Sequence, residues 1–204
     1  MRKTKEEAEQ TRQKILNAAR KMFFQNGVAK TSLEHIAKEA GVTRGAIYWH
    51  FKDKTALFFA LQQSACVPID EGIQKIFKNP QYQNPLDAIE AALQFFFSTI
   101  QTRQSAKEMF SIMALKCEYV MDFENVIDHL MQPARHFLKT LEFFYQQAAK
   151  QNLLKKDANP NFFALDTMIF VNGLVNYLAS NENAYWQTNV EKLIKMHMQL
   201  RRNV

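Results

Sequence analysis

An all-α chain is predicted, on three observations. Only 5 Gly and 5 Pro occur in 204 residues. Apolar side chains recur at three- and four-residue spacing along most of the chain, with few alternating β-branched runs. Capping chemistry stands where helices should begin and end: Thr4 with Glu7 and Thr31 with Glu34 have capping-box spacing, and Gly27 and Gly41 close two apolar stripes. About nine helices are expected. They divide into a three-helix helix-turn-helix domain over residues 1–53 and a helical domain over residues 54–204.

The first helix is expected over residues 5–26, with Ile15, Leu16, Ala19, Met22 and Phe23 on one face. Residues 31–54, TSLEHIAKEAGVTRGAIYWHFKDK, then hold two short helical patterns around a tight break. Thr31 and Glu34 are expected to cap the first, which buries Leu33, Ile36, Ala37 and Ala40. Gly41 tolerates the positive φ of the break, and Val42 plugs the corner. Thr43 caps the second helix, turning Ala46, Ile47 and Phe51 inward and Arg44, Gly45, Tyr48, Trp49 and His50 outward.

That outer face has the chemistry to bind double-stranded DNA. An arginine at a helix start can fork to guanine O6 and N7 in the major groove, and Gly45 lets the backbone come close. The Thr43 and Tyr48 hydroxyls, His50 and the Lys54 ammonium suit phosphate oxygens, which set register without reading sequence. The expected DNA-binding positions are Thr31, Thr43, Arg44, Gly45, Tyr48, Trp49, His50 and Lys54. Two amphipathic helices of an ordinary bundle are the alternative, and they leave the aromatic row around Trp49 unexplained. The charge is placed to match: residues 1–55 hold 12 Lys and Arg against 6 Asp and Glu, whereas the remainder balances at 14 against 14. The whole net charge of +6 therefore sits in the N-terminal quarter, as a nucleic-acid footprint or as a solvated basic face. Arg2, Lys3 and Lys5 reach the duplex or belong to a frayed tail.

Asp53 is expected to cap a fourth helix from Lys54, where the positive end of the helix dipole adds to the ammonium. Leu57, Phe58, Leu61 and Ala65 give it an inner stripe, and Pro68 should bend or restart it before Ile69, Ile73, Ile76 and Phe77. NPQYQNP at 79–85 reads as a loop. Leu86, Ile89, Leu93, Phe96, Phe97 and Ile100 mark a fifth helix, and a shorter one runs from Met109 to Val120. The next pattern extends from Phe123 to Gln151, kinked or split by Pro133. Two final helices, 160–180 and 183–201, are joined by SNEN at 180–183. Both are apolar on more than one side: Ile169, Gly173, Val175 and Tyr177 in one, Tyr185, Trp186, Val190, Leu193, Ile194, His197 and Met198 in the other. Such helices need two partners, either a thick monomeric core or a second subunit.

TSLEHIAKEAGVTRGAIYWHFKDKTALF resembles the DNA-binding signature of the TetR family of bacterial transcriptional repressors. The Thr-Ser, Ile-Ala, Ala-Gly-Val, Gly-x-x-Tyr-x-His-Phe and Lys-x-x-Leu positions are all present. With the opening RKTKEEAEQTRQKIL and KCEYV at 116–120, the chain is most similar to AcrR/TtgR-type regulators of multidrug efflux pumps. The resemblance implies a homodimer through the last two helices on a palindromic operator, no cofactor, and release when a small hydrophobic or aromatic effector enters the C-terminal domain. It places the effector near Cys66, Ile89, Phe96, Phe110, Ala114, Phe137, Leu141, Met168 and Asn172. Phe110 and Ala114 stand where relatives can carry polar groups, Cys66 where a carboxylate can stand, and Asn172 where an aspartate can. Neutral ligands are therefore expected, unless Glu90, Glu118 or Asp166 points inward. Fourteen of the 17 Phe lie beyond residue 55, as core or as pocket wall.

The five His form neither an HExxH motif nor a Cys-His pair at ligand spacing, and no Gly-x-Ser-x-Gly elbow occurs, so neither catalysis nor a metal site is expected. His129 and His136 share a helical face only if Pro133 leaves that helix intact. Cys66 and Cys117 suit buried free thiols in a reducing compartment. No run of about 18 apolar residues and no secretory leader is legible, so a cytoplasmic protein is expected without a membrane partner.

Overall fold

The computed structural model describes residues 4–117, 127–156, 158–180 and 184–203. Arg2, Lys3, Glu118, the Phe123 start of the long expected helix and most of SNEN lie outside the described residues, as do the side chains of Tyr185 and Trp186. Ten α-helices, a π-helical segment and no strand are found among the described residues. They are α1 Lys5–Asn26, α2 Leu33–Glu39, α3 Arg44–His50, α4 Lys54–Phe77, α5 Pro85–Thr102, α6 Gln104–Ser111, the π segment Ile112–Lys116, α7 Ile127–Leu130, α8 Gln132–Lys150, α9 Pro160–Ser180 and α10 Ala184–Gln199.

The all-α expectation holds, and one proline accounts for the extra helix. Pro133 sits in the first turn of α8, where its missing N–H would have no intrahelical partner anyway, and this separates α7 from α8. Pro68 has the opposite outcome: α4 runs through it for 24 residues, so no restart occurs. The helix expected from Met109 begins earlier, at Gln104, and ends in the π segment.

The chain forms two compact units, Met1–Cys66 with Ser105–Leu130, and Val67–Gln104 with Met131–Val204. This division departs from the expected boundary at residue 53. It falls inside α4 next to Pro68, and α6 joins α1–α3 because Met109 and Ile112 are buried with Ile15, Leu16, Phe23, Ile36, Ile47 and Phe58. Fully burying each such side chain stabilises by roughly 1.5–3 kcal/mol.

Within the first unit, α1 carries the expected capping box: Thr4 N donates to Glu7 Oε2 at 2.8 Å and Glu7 N to Thr4 Oγ1 at 3.2 Å. Gly27 ends the helix at φ 82°, which an L side chain rarely adopts.

In the second unit, Asn84 caps α5 by accepting from Leu86 N at 2.9 Å, which ends the connector where turn chemistry predicted it. Leu86, Ile89, Leu93 and Phe97 of α5 pack with Leu141, Tyr145 and Ala148 of α8 and Val190, Ile194 and Met198 of α10. One polar seam crosses this core: Tyr145 Oη lies 2.7 Å from Thr167 Oγ1, which lies 3.2 Å from His197 Nε2. Burial raises the Tyr145 pKa, keeping the phenol protonated. Burial, and secondarily the Arg201 charge, pushes His197 down to about 3, and its ring stacks on Phe170 at 3.9 Å. Arg201 is buried, pairs with Asp166 and donates to the His197 carbonyl. The chain end is fixed by Lys155 N to Arg201 O at 3.1 Å and Asn203 N to Leu153 O at 2.8 Å.

Two-sided packing is evident on α9. Ala164, Thr167, Val171 and Leu174 are buried, while Phe162, Leu165, Ile169 and Tyr177 are exposed on the other side. By length and hydropathy alone α9 would suffice to cross a bilayer, yet it carries Asp166 ion-paired with Arg201 and packs one face into the core.

Candidate functional site

The helix-turn-helix is built mostly as its residues dictate, with one correction at its entrance. Thr31 is only 1% exposed, and its hydroxyl donates to the Gly27 carbonyl at 2.7 Å. The cap of α2 is instead the next residue, Ser32, which accepts from His35 N at 3.2 Å. Thr31 is thereby withdrawn both as a cap and as a DNA contact, because its hydroxyl satisfies a carbonyl left open at the end of α1. Glu34, freed from any capping box with Thr31, lies in the first turn of α2 and faces solvent.

Thr43 caps α3 as expected, accepting from Ala46 N at 3.1 Å. Ile47 and Phe51 are buried, and this fixes the rotation of α3 so that Arg44, Gly45, Tyr48 and Trp49 face solvent. Trp49 is 73% exposed, with the half-buried His50 ring edge-on at 4.5 Å. A Cβ at Gly45 would meet nothing nearer than 4.0 Å, so no contact inside the protein requires the glycine. Arg44 Nη1 lies 2.6 Å from Glu34 Oε1, and its guanidinium carbon is 5.6 Å from the Tyr48 ring centroid.

Lys54 is more constrained than its sequence position announced. Its ammonium donates to the carbonyls of Val28 at 3.0 Å and Ala29 at 3.3 Å, leaving one of its three N–H groups for a phosphate. Asp53 Oδ1 accepts from Ala56 N at 2.7 Å, holding the α4 start as expected. The same α1–α2 connector receives a third tie, because Val28 N donates to Lys116 O at the end of the π segment at 2.9 Å. Nearby, Arg20 Nε meets Glu108 Oε2 at 2.8 Å, linking α1 to α6. These long-range ties leave no local pattern in the sequence.

The nine expected effector positions divide between the units: Cys66, Phe110 and Ala114 in the first, the other six in the second. Ile89 and Leu141 are fully buried in the second unit's core, with Phe96 and Phe137 half-buried against it and Met168 half-buried on α9. Asn172 is exposed on the same side of α9 as Leu165 and Ile169, so its side chain is not part of that core. Of the three carboxylates in question, Glu90 pairs with Arg202 at 2.9 Å and Asp166 with Arg201, while Glu118 lies outside the described residues. A cavity of about 490 Å³ in the second unit lies elsewhere, between Ile76, Phe95, Phe97, Gln101, Val190 and Ile194. His129 and His136, once α7 and α8 separate, fall in different units.

A solvent-facing arginine, glycine and aromatic row on the second helix of a helix-turn-helix define a DNA-binding regulator of transcription. The model of the bacterial regulatory proteins, tetR family, matches residues 15–61. The HTH-type transcriptional repressor BepR of Brucella suis biovar 1 (strain 1330) is 32% identical over 187 residues, 91% of this chain and 88% of that protein. The HTH-type transcriptional regulator AcrR of Shigella flexneri is 43% identical over 122 residues, 58% of this chain and 55% of that protein. The fold matches the crystal structure of NalD, the secondary repressor of the MexAB-OprM multidrug efflux pump in Pseudomonas aeruginosa, with a TM-score of 0.86 at 24% identity, over 98% of this chain and 99% of that one. This chain belongs to the TetR family of transcriptional repressors.

Proposed function

We propose that this repressor closes an operon for multidrug efflux in the bacterial cytoplasm and is released by a neutral hydrophobic or aromatic molecule. The observation that carries the DNA half is Arg44: 67% exposed at the first position of α3, with its backbone neighbour Gly45 free of internal contacts. In this reading Arg44 reads guanine, while Thr43, Tyr48, His50 and the remaining N–H of Lys54 contact phosphates and Trp49 packs on the sugar-phosphate edge.

A single seven-residue helix reads too few bases to bind tightly alone, so the chain acts as a two-fold dimer through α9 and α10. Support comes from the exposed apolar side chains Phe162, Leu165 and Ile169 of α9, Met196 of α10 and Leu200 just beyond it. Asn172 belongs to this face rather than to an effector site. The two α3 helices then sit about 34–36 Å apart and meet a palindrome in successive major grooves.

Effector contacts are proposed within each unit separately: Ile89, Phe96, Phe137, Leu141 and Met168 in the second, and Cys66, Phe110 and Ala114 in the first. The preference for uncharged ligands rests on chemistry, because Glu90 and Asp166 are already neutralised by arginines. Phe110 and Ala114 lie on α6 and the π segment, whose last carbonyl holds Val28. An effector that fits better with α6 displaced must loosen the Val28 and Lys54 ties around the α1–α2 connector. DNA affinity then falls by the effector's differential affinity for the two states and no more.

The test is a gel-shift titration on DNA upstream of the protein's own gene at fixed salt, with and without a panel of hydrophobic drugs. Saturable binding released by a neutral compound supports the proposal. Binding no tighter than to random DNA, or release by dications alone, rejects the corresponding half.

A further inference from the structure

We propose that Glu34 is a specificity-determining residue of the DNA-reading face, acting through Arg44. The inference rests on the DNA-reading role proposed for Arg44. The two side chains come from different helices, ten residues apart in sequence, and meet at 2.6 Å with 59% and 67% of their side-chain surfaces exposed. Ion pairs this exposed contribute little to stability, so holding the fold together does not account for the carboxylate.

The geometry gives it another use. A guanidinium is planar, with five N–H groups in a fixed fork. Glu34 Oε1 engages Nη1, and the Tyr48 ring lies against the group at 5.6 Å. The plane is therefore held from two sides, which leaves the Nε–Nη2 edge as a bidentate fork for guanine. A side chain fixed before binding loses less rotamer entropy when it reaches the base.

The carboxylate also presents a like charge to the phosphates of any duplex, which weakens binding to all sequences alike. The orienting effect acts only where Arg44 finds guanine, and it widens the gap between specific and non-specific DNA, which is the quantity a regulator among many competing sites depends on.

The test compares Glu34→Gln, Arg44→Ala and the double variant as full-length proteins at one fixed salt concentration. The probes are a duplex selected by the wild-type protein from a random-sequence pool and the same duplex with its bases shuffled. Glu34→Gln is expected to bind the shuffled duplex more tightly and to lower the selected-to-shuffled affinity ratio by roughly two- to fivefold, the range one exposed charge pair spans. In the Arg44→Ala background the same change should leave the ratio unaltered. If Arg44→Ala lowers the ratio but Glu34→Gln does not, Glu34 has no part in specificity while Arg44 keeps its reading role. If Arg44→Ala leaves the ratio unchanged, the assignment of Arg44 fails and this inference fails with it. A matching loss of thermal stability in Glu34→Gln would make the residue structural and overturn the proposal.

Discussion

Gly72 lies inside α4, and a Cβ built there would overlap the ring tip of Phe95 on α5 while sitting 3.3 Å from its Cε2. Gly72→Ala therefore sets two terms against each other. Alanine in a helix interior is favoured over glycine by about 0.5–1 kcal/mol. Against this, carbons make contact at about 3.5–4.0 Å, so the ring tip must retreat by more than about 1 Å. Overpacking of this kind costs about 1–3 kcal/mol. Phe95 borders the cavity of the second unit and has room to turn, which places the cost in the lower half of that range. The net expectation is a destabilisation of about 1 kcal/mol. In a Phe95→Ala background the obstacle is gone, and the same change should stabilise by about 0.5–1 kcal/mol. The assay is urea unfolding of the four proteins of the cycle at one protein concentration, since dimerisation makes stability concentration-dependent. Stabilisation by Gly72→Ala of the same size in both backgrounds would refute the packing of Phe95 onto this glycine.

Lys54→Ala should weaken binding to all duplexes alike and lower the slope of log affinity against log salt by about 0.9, measured by gel shift at several salt concentrations. Ile169→Glu places a charge on the exposed α9 stripe, where Ile169 is 62% exposed. Sedimentation should then show a folded monomer, and operator affinity should fall with the lost second half-site. His197 titrates near 3 in the folded protein against an ordinary value of 6.5, because burial and Arg201 disfavour its charged form. The unfolded chain therefore binds more protons between these values, so stability should fall as pH drops from about 6.5 towards 3. The drop in urea midpoint on acidification should be smaller in His197→Gln.

Much of the helix-turn-helix was legible because its determinants act within a turn or two of chain. Thr43 three residues before Ala46, Gly41 at φ 64° and the spacing of Leu33, Ile36, Ala37 and Ile47 need no distant partner to take effect. The same holds for the capping box of α1, whereas for Pro133 the sequence left a kink or a split open, and the structure has the split. Local spacing misled where a distant element competed for the same side chain. Thr31 with Glu34 has the spacing of a capping box, yet packing against the α1 end turned Thr31 inward and left the cap to Ser32. Likewise Pro68 lies inside an unbroken helix because α4 keeps packing on both sides of it, through Leu61 before and Ile69 and Ile73 after.

By itself the sequence determined the all-α class, the outward set on α3, the basic N-terminal quarter and the family resemblance, all of which depend on residue chemistry or short spacing. Tertiary structure alone decided which helices share a core, moving α6 into the unit of α1–α3. It also decided which polar atoms meet across long separations. Lys116 with Val28, Glu108 with Arg20 and Glu34 with Arg44 are joined by packing, since the chain brings such pairs together only once the apolar faces between them have been buried.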